Sequence, residues 1–213
     1  MIPWTGVHVI ADGGARSGRT PQAIAEAALE GGARIIQVRM KGSTSRELYD
    51  AASKVAGMVQ GVPGASFVVN DRLDVALAVG ADAVHLGQAD LAPGDARRAL
   101  LASGSRLAYG LSTHDLDQAR RAEADGAAYI GFGPIFETGS KGDRLSPRGI
   151  EKLAEVCRSV RIPVIAIGGI TIEGAKSAAA AGAAGVAVIS AVTSSENMIC
   201  AVRALVAQFP ARP

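Results

Sequence analysis

A short phrase recurs four times in this chain, each time between a helix-like stretch and a run rich in Val and Ile: Glu30-Gly31-Gly32-Ala33, Val79-Gly80-Ala81-Asp82, Asp125-Gly126-Ala127-Ala128 and Ala181-Gly182-Ala183-Ala184. Glycine just past the last helical turn ends a helix in the left-handed conformation, and a small residue after it lets a strand begin at once. The phrase predicts helices and strands in alternation, joined by short turns. Eight apolar runs fit the strand positions: residues 7–11, 34–39, 66–69, 83–86, 106–111, 129–132, 163–167 and 185–189. The stretches between and after them read as helices over 21–30, 45–61, 73–79, 93–102, 116–124, 150–159, 173–181 and 195–208.

Strands as continuously apolar as Val164-Ile165-Ala166-Ile167 suit a parallel sheet covered by helices, because both of their faces lie away from water. Eight such units within 213 residues predict an α/β fold of one kind, a (β/α)8 TIM barrel forming a single domain over 1–213. A doubly wound sheet of this length has fewer strands, and Asp12-Gly13-Gly14-Ala15-Arg16-Ser17-Gly18 lacks the GxGxxG spacing of a dinucleotide turn.

The net charge of +2, from 22 basic and 20 acidic residues spread along the chain, leaves no basic stripe for nucleic acid. The most apolar stretch, 178–192, is broken at Gly182 and Gly185 and reads as a helix end, a turn and a buried strand, so no membrane span is expected. Cys157 and Cys200 stand apart without a ligand or CxxC pattern, and the first residues carry neither a basic nor a continuous apolar leader segment. These features predict a cytoplasmic protein with free thiols, and no pattern in the chain specifies an oligomer.

In a barrel of this kind the chemistry sits where strands end and βα loops begin. The second strand ends Gln37-Val38-Arg39-Met40-Lys41, the third Asn70-Asp71-Arg72, and the fourth runs into His85-Leu86-Gly87-Gln88-Ala89-Asp90. Two cations, an amide and two carboxylates from adjacent strands make an arrangement suited to a diphosphate with Mg²⁺: Arg39 and Lys41 neutralise phosphate oxygens, and Asp71 and Asp90 supply hard ligands to the metal. The plainer alternative is a rim of salt bridges, with Asp71 capping its helix.

After the seventh and eighth strands, Gly168-Gly169-Ile170-Thr171 and Ile189-Ser190 offer backbone amides in the usual barrel position for a monophosphate. The loop over 133–143 is long, polar and Gly-rich, and as a flap it would bring hydroxyls and the cation Lys141. His114 follows the fifth strand, where it either transfers a proton or makes a structural hydrogen bond at a helix start. His8 and His85 lie in or beside strands and read as packing or orienting groups.

Five phrases, Gln37-Val38-Arg39-Met40-Lys41, Asn70-Asp71-Arg72, Val84 through Asp90, Gly133-Pro134-Ile135-Phe136 through Lys141, and Ile167-Gly168-Gly169-Ile170, resemble the thiamine phosphate synthase and thiazole tautomerase superfamily over nearly the whole chain. The resemblance implies a transferase that joins hydroxymethylpyrimidine diphosphate to a thiazole phosphate and releases pyrophosphate with Mg²⁺. It implies that Arg39, Lys41, Asn70, Ser112 and Lys141 hold the diphosphate, that Asp71 and Asp90 hold the metal, and that Gln37 faces the pyrimidine. Thr138, Gly139, Ser140, Gly169, Ile189 and Ser190 would receive the thiazole phosphate.

Glu137, Ser140, Arg148-Gly149 and His8 look more like the tautomerase, in which a histidine at the position of His114 moves the proton that aromatises the thiazole. The complete set Arg39, Lys41, Asn70, Asp71 and Asp90 looks like the synthase. The synthase is the expected activity, with the tautomerase as alternative and a non-catalytic binding or regulatory member of the fold as a second alternative.

Overall fold

The computed structural model describes residues 4–13, 18–139 and 146–209. Among them the chain runs β1 (Gly6–Asp12), α1 (Pro21–Glu30), β2 (Ile35–Arg39), α2 (Ser45–Gln60), β3 (Ser66–Asn70), α3 (Leu73–Ala78), β4 (Ala83–Leu86), α4 (Pro93–Ser103) and β5 (Ala108–Thr113). It continues with α5 (Leu116–Ala124), β6 (Tyr129–Phe132), α6 (Gly149–Ser159), β7 (Val164–Ile167), α7 (Ile172–Ala180), β8 (Gly185–Val188), α8 (Ser190–Thr193) and α9 (Met198–Val206). The strands pair in sequence order, all parallel, and β8 closes on β1 through Gly6 opposite Gly185 and Val9 opposite Val188. The fold is a (β/α)8 barrel.

The recurring phrase does what its chemistry predicts. Gly32, Gly80, Gly126 and Gly182 all have positive φ, and the amide after each reaches back into the helix it ends: Ala33 to the Ala28 carbonyl at 2.9 Å, Ala81 to Ala76 at 2.9 Å, Ala127 to Ala122 at 3.0 Å and Ala183 to Ala178 at 3.1 Å. Helix starts are equally local. Thr44 accepts from the Glu47 amide while Glu47 accepts from the Thr44 amide, and Asp115 and Thr171 cap α5 and α7.

Alternation along each strand sorts side chains into two shells. Val7, Val9, Ile36, Val38 and Val84 face outward and pack with helix residues such as Ile24, Ala28 and Val55. Each fully buried aliphatic side chain of this kind contributes about 1.5–3 kcal/mol. The barrel interior is filled by Trp4, Ile10, Ile35, Val68, Ala83, Tyr129 and Ile165. At the C-terminal ends the inward positions turn polar: Asp12, Arg39, Asn70 and His85.

Most boundaries fall within a residue or two of the sequence expectation, and three differences have a visible cause. The first strand runs on to Asp12 and the fifth to Thr113, because pairing with β2 and β6 continues to those residues. A short helix that was not expected, α8, starts at Ser190, and the last helix, α9, starts only at Met198 because the Asn197 side chain accepts from the Cys200 amide at 3.0 Å. Among the described residues no helix is long and apolar enough to cross a membrane.

Candidate active site

The C-terminal ends of the strands enclose a cavity of about 540 Å³. Eleven of the expected residues line it: Arg39, Lys41, Asn70, Asp71, Asp90, Ser112, His114, Thr138, Gly169, Ile189 and Ser190. Ser140 and Lys141 lie outside the described residues. Gly139 is exposed and does not line the cavity. Gln37 does not line it either; it is buried and donates through Nε2 to Asn70 Oδ1 at 2.7 Å. That bond has a consequence for Asn70, whose oxygen is occupied and whose NH₂ group is therefore the part left to donate.

Arg39 and Asp12 are cross-strand neighbours, and the Nη1 of Arg39 donates to Asp12 Oδ2 with both side chains nearly enclosed. A buried guanidinium needs such a partner, and the pairing holds its fork at the cavity wall. A strand read as ending at Ala11 leaves Asp12 out of the site, although pairing continues to Asp12 and the rule of polar strand ends points to it.

Asp71 does not cap its helix. Arg72 occupies the N-cap position and makes no side-chain cap bond. Asp71 instead has φ +63, uncommon for a residue with a side chain, and its carboxylate lies 3.1 Å from Lys41 Nζ. Burial pushes its carboxyl up from the ordinary range, and Asp90 within hydrogen-bonding reach adds to the rise. Asp90 is itself aimed by the Gly87 amide, which donates to its Oδ2 at 2.6 Å. Two carboxylates held together against their repulsion have the chemistry that would suit a Mg²⁺ ion, which takes one or two carboxylates and completes its shell with water and phosphate. Among the described residues no cluster of three or more His, Cys, Asp and Glu side chains stands ready to hold a metal alone.

The opposite wall is built from backbone. Gly168 and Gly169 have φ of +95 and +63, and a Cβ on Gly169 would lie 2.3 Å from the Glu137 carbonyl oxygen. The loop after β6 thus packs directly on the turn after β7, which admits no side chain there. His114 sits between the two walls, its Nδ1 donating to the Gly133 carbonyl at 2.7 Å and its amide donating to Gln118 at 2.9 Å. The structural bond that was one of its two readings exists, and in the neutral imidazole it places the hydrogen on Nδ1 and leaves Nε2 as an acceptor.

A family model described as thiamine monophosphate synthase matches residues 7–192. The chain belongs to the thiamine monophosphate synthase family. The thiamine-phosphate synthase of Chloroflexus aurantiacus is 41% identical over 207 residues, covering 96% of this chain and 92% of that one. The thiamine-phosphate synthase of Moorella thermoacetica is 43% identical over 204 residues, covering 96% and 95%. Among solved structures, thiamine phosphate pyrophosphorylase from Pyrococcus furiosus superposes with a TM-score of 0.86 at 36% identity, covering 96% of this chain and 95% of that one.

For a thiamine monophosphate synthase family member, three of the four features that look more like a tautomerase have structural explanations here; Ser140 lies outside the described residues. His8 is enclosed in the barrel, where burial lowers its pKa to about 3 and favours the neutral imidazole. Glu137 is exposed, and what it brings to the turn at Gly169 is its backbone oxygen. The amides of Arg148 and Gly149 donate to the Pro134 and Ile135 carbonyls at 2.7 and 3.1 Å, tying α6 to the loop after β6.

Proposed function

We propose that this chain, acting as one barrel domain over 1–213, is a thiamine phosphate synthase that joins hydroxymethylpyrimidine diphosphate to a thiazole phosphate and releases pyrophosphate. The observation that carries the reading is the convergence of Arg39, Lys41, Asn70, Asp71, Asp90 and Ser112 on one side of a single cavity, facing Gly169, Ile189 and Ser190 on the other. The family relatives support the same reaction.

The difficult step is breaking the C–O bond to the diphosphate, whose electron pair leaves with pyrophosphate. Groups that bind the growing negative charge lower that barrier more than a general base does. Arg39, aimed by Asp12, and Lys41 supply fixed positive charge, while the Asn70 amide and the Ser112 hydroxyl donate hydrogen bonds. Lys141, which lies outside the described residues, is the third cation in this reading. Mg²⁺ held by Asp71 and Asp90 would neutralise further charge on the diphosphate. The aminopyrimidine ring stabilises the cationic carbon by electron release, and the thiazole nitrogen forms the new bond there.

Thr138, Gly169, Ile189 and Ser190 form the thiazole-phosphate side in this reading, and Gln37 acts on the pyrimidine side by holding Asn70 instead of meeting the ring itself. The two unpaired thiols, Cys157 and Cys200, support a cytoplasmic location.

The test is to incubate purified protein with both phosphorylated substrates and Mg²⁺ and to follow thiamine phosphate by fluorescence after oxidation. Condensation is expected, and His114→Ala is expected to keep a substantial part of it, because His114 serves the loop and not the leaving group. Wild-type protein that isomerises the thiazole, fails to condense it, and loses isomerisation in His114→Ala would assign the tautomerase reaction.

A further inference from the structure

Beneath the diphosphate side of the cavity, Tyr129 of β6, His85 of β4 and Ser112 of β5 form a continuous chain. The Tyr129 hydroxyl lies 3.1 Å from His85 Nδ1, and His85 Nε2 lies 2.9 Å from Ser112 Oγ. Ser112 reaches the cavity, and Tyr129 is 1% exposed. The tyrosine ring occupies the space left by Gly110, where a Cβ would lie 2.2 Å from its Cζ, and it stacks against Trp4 and His85 with centroids 5.1 and 5.5 Å away. The ring has nowhere else to go.

The direction of the hydrogen bonds follows from counting donors. Burial pushes the Tyr129 hydroxyl up from its ordinary range, so it stays protonated, and its polar partner is His85 Nδ1. If Nδ1 carried a hydrogen, the buried phenol would accept from it and its own proton would be left unbonded, which is the costly arrangement. Tyr129 therefore donates to Nδ1, and His85 carries its hydrogen on Nε2 and donates to Ser112 Oγ. With its oxygen accepting from His85, Ser112 has its own hydrogen to give. In the reverse arrangement Ser112 would donate to Nε2 and turn lone pairs toward a polyanion.

We propose that Tyr129 and His85 are positioning residues that set Ser112 as a hydrogen-bond donor to an oxygen of the diphosphate. The proposal rests on the synthase reading for the identity of the ligand, but not for the direction of the chain.

Two measurements test it. In protein labelled with ¹⁵N in its three histidines, assigned with a His85→Gln variant, His85 is expected to show a protonated Nε2 and a pyridine-type Nδ1. A protonated Nδ1 overturns the proposal. In calorimetry with pyrophosphate and Mg²⁺, Tyr129→Phe keeps the ring and removes only the hydroxyl, and it is expected to weaken binding about three- to tenfold. That effect should vanish in a Ser112→Ala background, since the hydroxyl acts through Ser112. An equal loss in both backgrounds would make Tyr129 a packing residue and overturn the proposal, as would wild-type protein that does not bind pyrophosphate. Wild-type protein that passes both measurements yet forms no thiamine phosphate supports the positioning pair and removes the synthase reading.

Discussion

The two walls of the cavity work by different means. From β1 to β4 the inward strand ends carry Asp12, Arg39, Asn70 and His85, side chains whose directions are set by buried partners on neighbouring strands. From β6 to β8 the corresponding positions are small or apolar, among them Gly131, Gly133, Gly168 and Ala187, and the wall is backbone packed too tightly for a Cβ at Gly133, Gly168 and Gly169. The first wall holds a ligand by charge and the second by shape. Substitution in the first is expected to alter leaving-group stabilisation and metal dependence, whereas substitution in the second alters one substrate's fit.

The sharpest test of that division is Arg39→Ala. It removes a cation at the growing charge and takes the guanidinium away from Asp12, whose side chain is 5% exposed. Turnover is expected to fall by roughly two orders of magnitude or more, and urea unfolding to show a loss of about 3–5 kcal/mol. Arg39→Lys keeps the charge, so it should recover part of the stability and less of the turnover. Unchanged turnover with weaker affinity would move Arg39 to ground-state binding.

Gly169→Ala tests the other wall. Its Cβ would press on the Glu137 carbonyl, so the loop after β6 must shift. The KM for the thiazole phosphate is expected to rise about tenfold with a stability cost of about 1–3 kcal/mol, while the KM for the pyrimidine diphosphate stays near the wild-type value. Steady-state kinetics with each substrate varied in turn decide it, and equal rises in both constants would show that the walls are not independent.

The smallest effect on stability, and one of opposite sign, is expected for Asp71→Asn. Asp71 has a raised carboxyl pKa in the fold, so its contribution to stability is present at low pH and lost as pH rises through the folded value. The ionised form is disfavoured in the metal-free protein, and asparagine also accepts the positive φ more readily. Thermal unfolding without Mg²⁺ is expected to move up by a few degrees, about 0.5–1 kcal/mol, with the difference shrinking as pH falls toward the ordinary carboxylate range. The same variant should lose Mg²⁺-dependent condensation. A lower Tm would mean that the ion pair with Lys41 outweighs burial and the repulsion from Asp90.

The barrel itself was legible in the chain because its punctuation is local. A helix stop such as Val79-Gly80-Ala81 needs only the preceding turn, and the inward or outward direction of Arg39 or Asn70 follows from a period of two. The residues that gather at the cavity were legible for the same reason, since each stands at the end of its own strand. What the chain alone did not disclose is how those side chains hold one another. Gln37 meets Asn70 because β2 lies beside β3 in a particular register, and Tyr129 reaches His85 because Gly110 on the strand between them leaves room for its ring. Such contacts join residues 33 and 44 positions apart, beyond the reach of any turn or cap. Propensity, capping and alternation act within a few residues, so they determined the elements and their faces; strand register and interior packing act across the closed barrel, so only the tertiary structure decided the partners.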